Sequence, residues 1–239
     1  MSKATTPLAR LAAATLTIEQ VRNVDRVAIE QFGMNSLVLM ENAALGVVNW
    51  VAKRFEERFE FPPRVALLCG TGNNGGDGLA IARHLWVAGW ECTVVFSGDV
   101  ARLSPDANNN FEVLVHGDQA CDVRWPNSAS EIRSALEGKH LILDCLLGTG
   151  ASGAPRAPMD EMIRAANRSS ACRIAIDIPT GVDSESGVRA EVAFECEATL
   201  TFVARKPAMA LSNCRMNFGE VHVLPIGIPR ALIEQVLAW

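Results

Sequence analysis

Arg64-Val65-Ala66-Leu67-Leu68-Cys69-Gly70-Thr71-Gly72-Asn73-Asn74-Gly75-Gly76-Asp77-Gly78 passes from an apolar run of strand length into nine residues that hold five glycines. Pro63 and Gly70 bound the run Arg64 to Cys69, the punctuation of a short buried strand. A helical pattern follows from Gly78 to Val87, and a second strand from Cys92 to Phe96. Strand, glycine turn, helix and strand in this order form a βαβ unit, which sets its two strands parallel. Glycines at such a turn let the backbone approach a ligand. The free amides and positive dipole end of the following helix suit an anion. Gly70, Gly72 and Gly75 also fit the G-x-G-x-x-G spacing, with Asp99 near the place of a ribose-binding acid. A tight turn alone accounts for two of the glycines, not for five interleaved with Asn73, Asn74 and Asp77.

The alternation continues on both sides of this unit. Ser104-Pro105 opens a helix ending near Gly117, and a weak strand covers Cys121 to Trp125. Ser130 to Leu136 is predicted helical, Leu141 to Asp144 a strand and Pro158 to Asn167 helical. Strands follow at Cys172 to Asp177, Thr199 to Val203 and Glu220 to Leu224, before a closing helix from Pro229. Toward the amino end, Thr17-x-x-Gln20 is a capping box for a helix with Val21, Val24 and Ala28 on one face, stopped by Gly33. Ser36 precedes another helix running to about Arg58. Several strands are apolar on both faces, the mark of a mostly parallel, Rossmann-like α/β sheet covered by helices on both sides. No linker or repeat divides the chain, so residues 17–239 are taken as a single domain. Residues 1–16, with Lys3, Arg10 and no acid, are taken as a flexible tail. They faintly resemble a transit peptide, but a frayed tail on a cytoplasmic protein is the plainer expectation.

Composition narrows the function. A net charge of −5 over 239 residues argues against general nucleic-acid binding. No apolar run approaches the ~18 residues of a membrane helix. The seven cysteines are odd in number and lack C-x-x-C spacing, and most sit in apolar runs. Reduced buried thiols fit this better than a disulfide framework or a zinc site. His84, His116, His140 and His222 have no partner at ligand spacing.

Two further strand ends carry chemistry. In Asp144-Cys145-Leu146-Leu147-Gly148-Thr149-Gly150-Ala151-Ser152-Gly153, an acid closes an apolar strand, where it needs a cation or hydrogen-bond donors. A plain turn cap is the alternative, and the glycines beyond form a second candidate anion cradle. In Asp177-Ile178-Pro179-Thr180-Gly181-Val182-Asp183, a second acid ends a strand and Pro179 stiffens the turn that presents Thr180. Two such carboxylates near one pocket point to a metal site or a general acid/base. Lys206 is within reach of the same pocket, although base rates favour an exposed lysine.

Together with Met40-Glu41-Asn42-Ala43 and with Gly219-Glu220-Val221 through Ile226-Gly227-Ile228-Pro229, these motifs resemble those of the NAD(P)H-hydrate epimerases, the YjeF amino-terminal domain type, and occur in the same order. The resemblance spans Thr17 to the carboxyl end. Ala44 stands where the family usually has Gly. Ala204-Arg205-Lys206-Pro207 replaces a Gly-x-Pro-Lys-type segment, which leaves the role of Lys206 open. The resemblance implies a three-layer α/β/α sandwich, a homodimer, and interconversion of the R and S forms of NADHX and NADPHX, the hydrates of the reduced nicotinamide cofactors. It implies one potassium ion per subunit on Asn74, Asp144 and Thr180. It also implies substrate contacts from Asn73, Asn74, Gly75, Gly76 and Asp77, from Gly148, Thr149, Gly150, Ala151, Ser152, Gly153 and Ala154, and from Asp177. A separate ATP- or ADP-dependent dehydratase would return the S form to NAD(P)H.

Inversion at the hydroxyl-bearing C6, bonded to the ring nitrogen, needs proton transfer and no redox partner. Asp177 is the expected proton-transfer group, with Lys206 next in line. An Asp177→Ala protein is expected to fold normally. Two other readings stay open. An NAD(P)-dependent dehydrogenase fits the G-x-G-x-x-G spacing, but no sequence is left over for a hydride-transfer substrate domain. A non-catalytic nucleotide-binding or scaffolding module fits the fold, but Asn74, Asp144, Asp177 and Thr180 are all in place.

Overall fold

The computed structural model describes residues 6–55, 63–116, 121–151 and 153–239. Seven strands make one sheet: β1 (Arg64–Cys69), β2 (Glu91–Phe96), β3 (Asp122–Arg124), β4 (Leu141–Cys145), β5 (Cys172–Ile176), β6 (Ala198–Phe202) and β7 (Glu220–Leu224). Their order is β3-β2-β1-β4-β5-β6-β7, and every neighbouring pair is parallel. The chain builds outward from β1 to β3, then returns to place β4 beside β1 and builds the other way. The direction of winding therefore switches between β1 and β4, where sheets of this type hold their ligands beyond the strands' carboxyl ends.

The strands are buried on both faces because their side chains alternate between two apolar cores. Val65, Leu67, Val94, Leu141, Leu143, Ile174, Ile176 and Leu200 point into one core, and Ala66, Leu68, Val95, Ile142 and Ala175 into the other. The first core is covered by α1 (Pro7–Ala13), α2 (Ile18–Glu30), α3 (Ser36–Phe55), α4 (Asn73–Val87), α5 (Pro105–Val115) and, later in the chain, α9 (Arg230–Val236). The second is covered by α6 (Ala129–Leu136) and α7 (Met159–Arg168). The single turn α8 (Pro207–Ala210) follows β6. Helix starts carry the expected caps: Thr17 and Gln20 form the reciprocal capping box of α2, and Ser104 caps α5 ahead of Pro105.

Three expectations are corrected. Residues 6–16 are not a tail: Thr6 caps α1, Leu11 and Leu16 are buried, and Thr15 pairs in parallel with Arg205. The helix expected from Gly78 begins at Asn73, so most of the glycine-rich loop is its first turn and a half. The reason is close packing, which the glycines permit. A Cβ on Gly78 would stand 2.6 Å from Cys145 Cβ, and one on Gly75 would stand 1.9 Å from the Gly70 carbonyl oxygen. Strand β5 stops at Ile176, because Asp177 turns into the left-handed region at φ 64°. The expected helix ends near Arg58 and Gly117 fall outside the described residues.

Met40-Glu41-Asn42-Ala43 is scaffolding. Glu41 pairs with Arg83 and with His84 (2.8 Å), and Asn42 Nδ2 donates to the Ile226 carbonyl at 3.0 Å. These contacts tie α3 to α4 and to the carboxyl-terminal segment. Ala44, in the usual glycine position, is fully buried in the core.

Candidate active site

The three loops meet at Gly148. A Cβ there would lie 3.1 Å from Asn74 Cβ, in the first turn of α4, and 3.8 Å from Asp177 Oδ2. The loops after β1, β4 and β5 thus share one crevice beside the β1–β4 switch point.

The floor of the crevice is an ion pair. Lys206 is completely buried, against the expectation of an exposed lysine, and its Nζ lies 2.7 Å from Asp177 Oδ1. The same ammonium donates to Thr201 Oγ1 (2.7 Å) and to the carbonyls of Phe202 (2.9 Å) and Ala204 (3.4 Å). Thr201 Oγ1 in turn donates to Asp177 Oδ1 at 3.0 Å, closing a triangle. Burying an ammonium is tolerable only with such a set of acceptors. Asp177 and Val203 (φ 69°) both hold positive φ on either side of this pair. Backbone strain at a non-glycine, and above all at a β-branched residue, concentrates where a site imposes geometry.

Asp144 has no exposure and lies beneath the crevice. Its Oδ2 accepts the Thr180 amide (2.7 Å), and its Oδ1 accepts the Thr180 hydroxyl (2.8 Å) and the Leu146 amide (3.1 Å). Burial pushes this carboxyl up to about 6 despite those donors. The Leu147 amide donates to Thr180 Oγ1 (3.1 Å), and Asn74 Nδ2 donates to the Leu147 carbonyl (3.0 Å). One chain of hydrogen bonds therefore joins Asn74, Thr180 and Asp144 through the backbone of Leu147. Asn74 Oδ1 ends that chain buried and without a partner.

Two more carboxyls surround Asp177. Asp77 is pushed well above the usual range by burial first and then by Asp177 and Asp25. Asp25, on α2, is pushed up to about 6 by burial, then by Asp177, with Lys206 opposing. Sequence reasoning missed Asp25, although an acid beside the apolar stripe Val21, Val24 and Ala28 was the available signal. It also missed the burial of Lys206, which lies beyond the end of β6 at the N-cap of α8.

A cavity of 420 Å³ lies between the two later loops, lined by Gly148, Ala151, Gly153 and Ala154 on one side and by Pro179 to Asp183 on the other. It is next to the Asp177–Lys206 pair, not around it. A 610 Å³ groove between α6 and α7 touches none of the site residues named above. Asn73 opens α4 at the exposed rim, and Ser152 lies outside the described residues. Asp99 does not face the crevice motifs; it caps the short turn Val100–Arg102 through the Ala101 amide at 2.9 Å. Asp183 is likewise a turn cap, bonded to Ser186 through the hydroxyl and amide and held below the usual carboxylate range by that hydroxyl first. No cysteine forms a disulfide, and no helix among the described residues is long and apolar enough to cross a membrane.

Known proteins are similar to this chain. The NAD(P)H-hydrate epimerase of Pirellula staleyi is 39% identical over 216 residues, covering 90% of this chain and 93% of that protein. Its counterpart in Rhodopirellula baltica is 37% identical over 221 residues, covering 92% and 87%. The bifunctional NAD(P)H-hydrate repair enzyme Nnr of Salinibacter ruber is 33% identical over 230 residues, and the match covers 92% of this chain and 42% of that longer protein. The crystal structure of yeast ynu0 superposes with a TM-score of 0.75 at 21% identity over 93% of each chain, a likeness of fold. The model of the family described as YjeF-related protein N-terminus matches residues 36–208, from the start of α3 through Lys206. By that match and by its relatives, the chain belongs to the YjeF-related amino-terminal family.

Proposed function

We propose that this chain interconverts the R and S forms of hydrated NADH and NADPH, the activity its relatives' names describe. The observation that carries the proposal is the Asp177–Lys206 pair. One carboxylate oxygen is fixed by the buried ammonium, and the other lies toward Gly148 at the meeting point of the loops. Epimerisation at C6 requires the hydroxyl to leave as water and water to return on the other face, with the ring-nitrogen lone pair holding the intermediate cation. Asp177 is suited to move the proton, and Lys206 with Thr201 holds it in one rotamer. The first turn of α4 and the Gly148–Ala154 loop present backbone amides for the phosphates and sugars. Nothing in this reaction needs the ribose-binding acid of a dehydrogenase, and Asp99 is occupied elsewhere.

The residues expected to hold potassium fit a hard monovalent cation. Asn74, Asp144 and Thr180 offer oxygens on one hydrogen-bonded chain, and Asn74 Oδ1 lacks a partner. Asp144 already accepts three donors, so Asn74 Oδ1 is the atom an ion would satisfy. When bound, such an ion supplies positive charge beneath the crevice and ties the first turn of α4 to the Thr180 loop.

The test is direct. Purified protein is incubated with R-NADHX, and the S isomer is followed by coupling to an S-specific dehydratase that restores the absorbance of NADH. Conversion far above the spontaneous rate is expected. A rate equal to the protein-free control overturns the proposal.

A further inference from the structure

Helix α2 packs into the core through Val21, Val24, Val27 and Ala28, and its exposed Arg22 reaches the loop after β4. The segment before it is tied to the strand end that carries Lys206. The Leu16 amide donates to the Arg205 carbonyl at 2.9 Å, and the Arg205 amide donates to the Ala14 carbonyl at 3.1 Å. Its first residue is fixed to the loop beyond Thr180, because the Ile18 amide donates to Glu185 Oε1 at 2.7 Å. One turn on, Arg22 Nη2 stands 3.8 Å from where a Cβ on Gly150 would be. Asp25 follows three residues later on the same helical face. It is half-buried and has no hydrogen-bond or ion-pair partner among the described residues. The charged groups around it are Asp177, Lys206 and Asp77. A desolvated carboxylate without a partner weakens a fold. Here the start of its helix is bonded to Arg205 and to Glu185, and the carboxyl stands among Asp177, Asp77 and Lys206.

We propose that Asp25 is a second proton-transfer group, working across the crevice from Asp177; this deepens the epimerase reading and rests on it. Inversion calls for two such groups, since water leaves from one face of the ring and returns to the other. In the first half, the C6–O bond breaks as the hydroxyl takes the Asp25 proton and departs as water, and the ring-nitrogen lone pair becomes the second bond of C=N. In the second half, water adds to the opposite face of C6, the nitrogen regains its pair, and the released proton passes to Asp177. The reverse reaction exchanges the two roles. No electrons leave or enter the substrate. Burial, and then repulsion from Asp177, favour the protonated Asp25 that this division of labour requires. Asp177, ion-paired with Lys206, is the natural acceptor.

Wild type, Asp25→Asn and Asp25→Glu are assayed on R-NADHX from pH 5 to 9, with melting temperature recorded for each. Wild-type kcat is expected to fall as pH rises above about 6, where Asp25 loses the proton it must donate. The isosteric Asn variant is expected to lose ~10²–10⁴-fold in kcat, to keep its KM, to melt no lower than wild type, and to lack that alkaline limb. The Glu variant should recover part of kcat with the limb displaced. An Asn variant within tenfold of wild-type kcat, or one retaining the wild-type limb, overturns the role of Asp25 and leaves the epimerase reading standing. Should the Asn variant fail to fold, a Glu variant with an unchanged pH profile overturns it equally. Wild type that produces no S isomer removes the epimerase reading itself.

Discussion

Lys206 sets what can be learned from its partner. Its ammonium has no exposure and, among the described residues, draws its only carboxylate contact from Asp177. Removing one member of a buried pair leaves an uncompensated charge, typically worth ~3–5 kcal/mol. Asp177→Ala is therefore expected to lose about that much stability in urea denaturation, not to fold normally as the sequence alone suggests. Asp177→Asn keeps an oxygen for Lys206 and Thr201, and should hold most of the stability while turnover falls ~10²–10⁴-fold. An Ala variant as stable as wild type would mean the ammonium finds water or another acceptor. Asp25 works in the opposite sense. Its folded carboxyl is raised to about 6 from an ordinary 3.8, so ionisation above that range penalises the folded chain more than the unfolded one. Asp25→Asn is expected to melt above wild type at pH 7.5, with the gain gone below pH 4. A gain that persists at pH 4 would point to a cause other than charge. The sequence showed Asp144 and Asp177 because acids ending apolar strands stand out. Lys206 stands four residues beyond β6 and sent no such signal, and lysines are so rarely buried that exposure was the better wager. Asp25 gave only the weak signal of its place beside an apolar stripe, because a helix acid looks much the same whether it faces solvent or a crevice.

Helix α4 shows why the glycine-rich stretch was legible as a site but not as an element. Five glycines read as a loop, yet Gly75 and Gly78 are there to seat a helix against the Gly70 carbonyl and the thiols of Cys69 and Cys145. Such approach distances are long-range facts that no local pattern encodes. The Asn74 side chain then reaches from that first turn to Leu147, and through it to Thr180 and Asp144. If potassium joins these loops, the ion binds the folded chain alone and raises its melting temperature. Melting in potassium chloride against a bulky-cation salt of equal ionic strength is expected to favour potassium. Asp144→Asn should weaken that preference more than Asp183→Asn, since Asp183 spends its oxygens on Ser186 and Glu185. Equal melting of wild type in both salts would return Asp144 to the role of a turn cap.

At the scale of the molecule, all seven strands and the parallel, two-sided sheet were readable, because alternation of apolar runs with helical patterns survives local ambiguity, whereas the order of the strands was not. The amino-terminal segment was not. Seven helical residues with few acids resemble a tail until Arg205 is known to pair with Thr15. Leu11 is 1% exposed, so Leu11→Ala is expected to cost ~2–5 kcal/mol of unfolding free energy. A true tail would tolerate it without measurable change. That pairing also fixes an order of events in time. The amide of Leu16 waits for the carbonyl of Arg205, which a ribosome working at ~5–20 residues per second delivers on the order of ten seconds or more later. Until then the segment that leads into α2 lacks this pairing, and the helix that carries Asp25 is not held at its start. A nascent chain can complete the β1–β4 half of the sheet early, but Asp25 is held in place only after Arg205 has been made. Every truncated product that stops short of Arg205 is, by the same token, born without a finished active site.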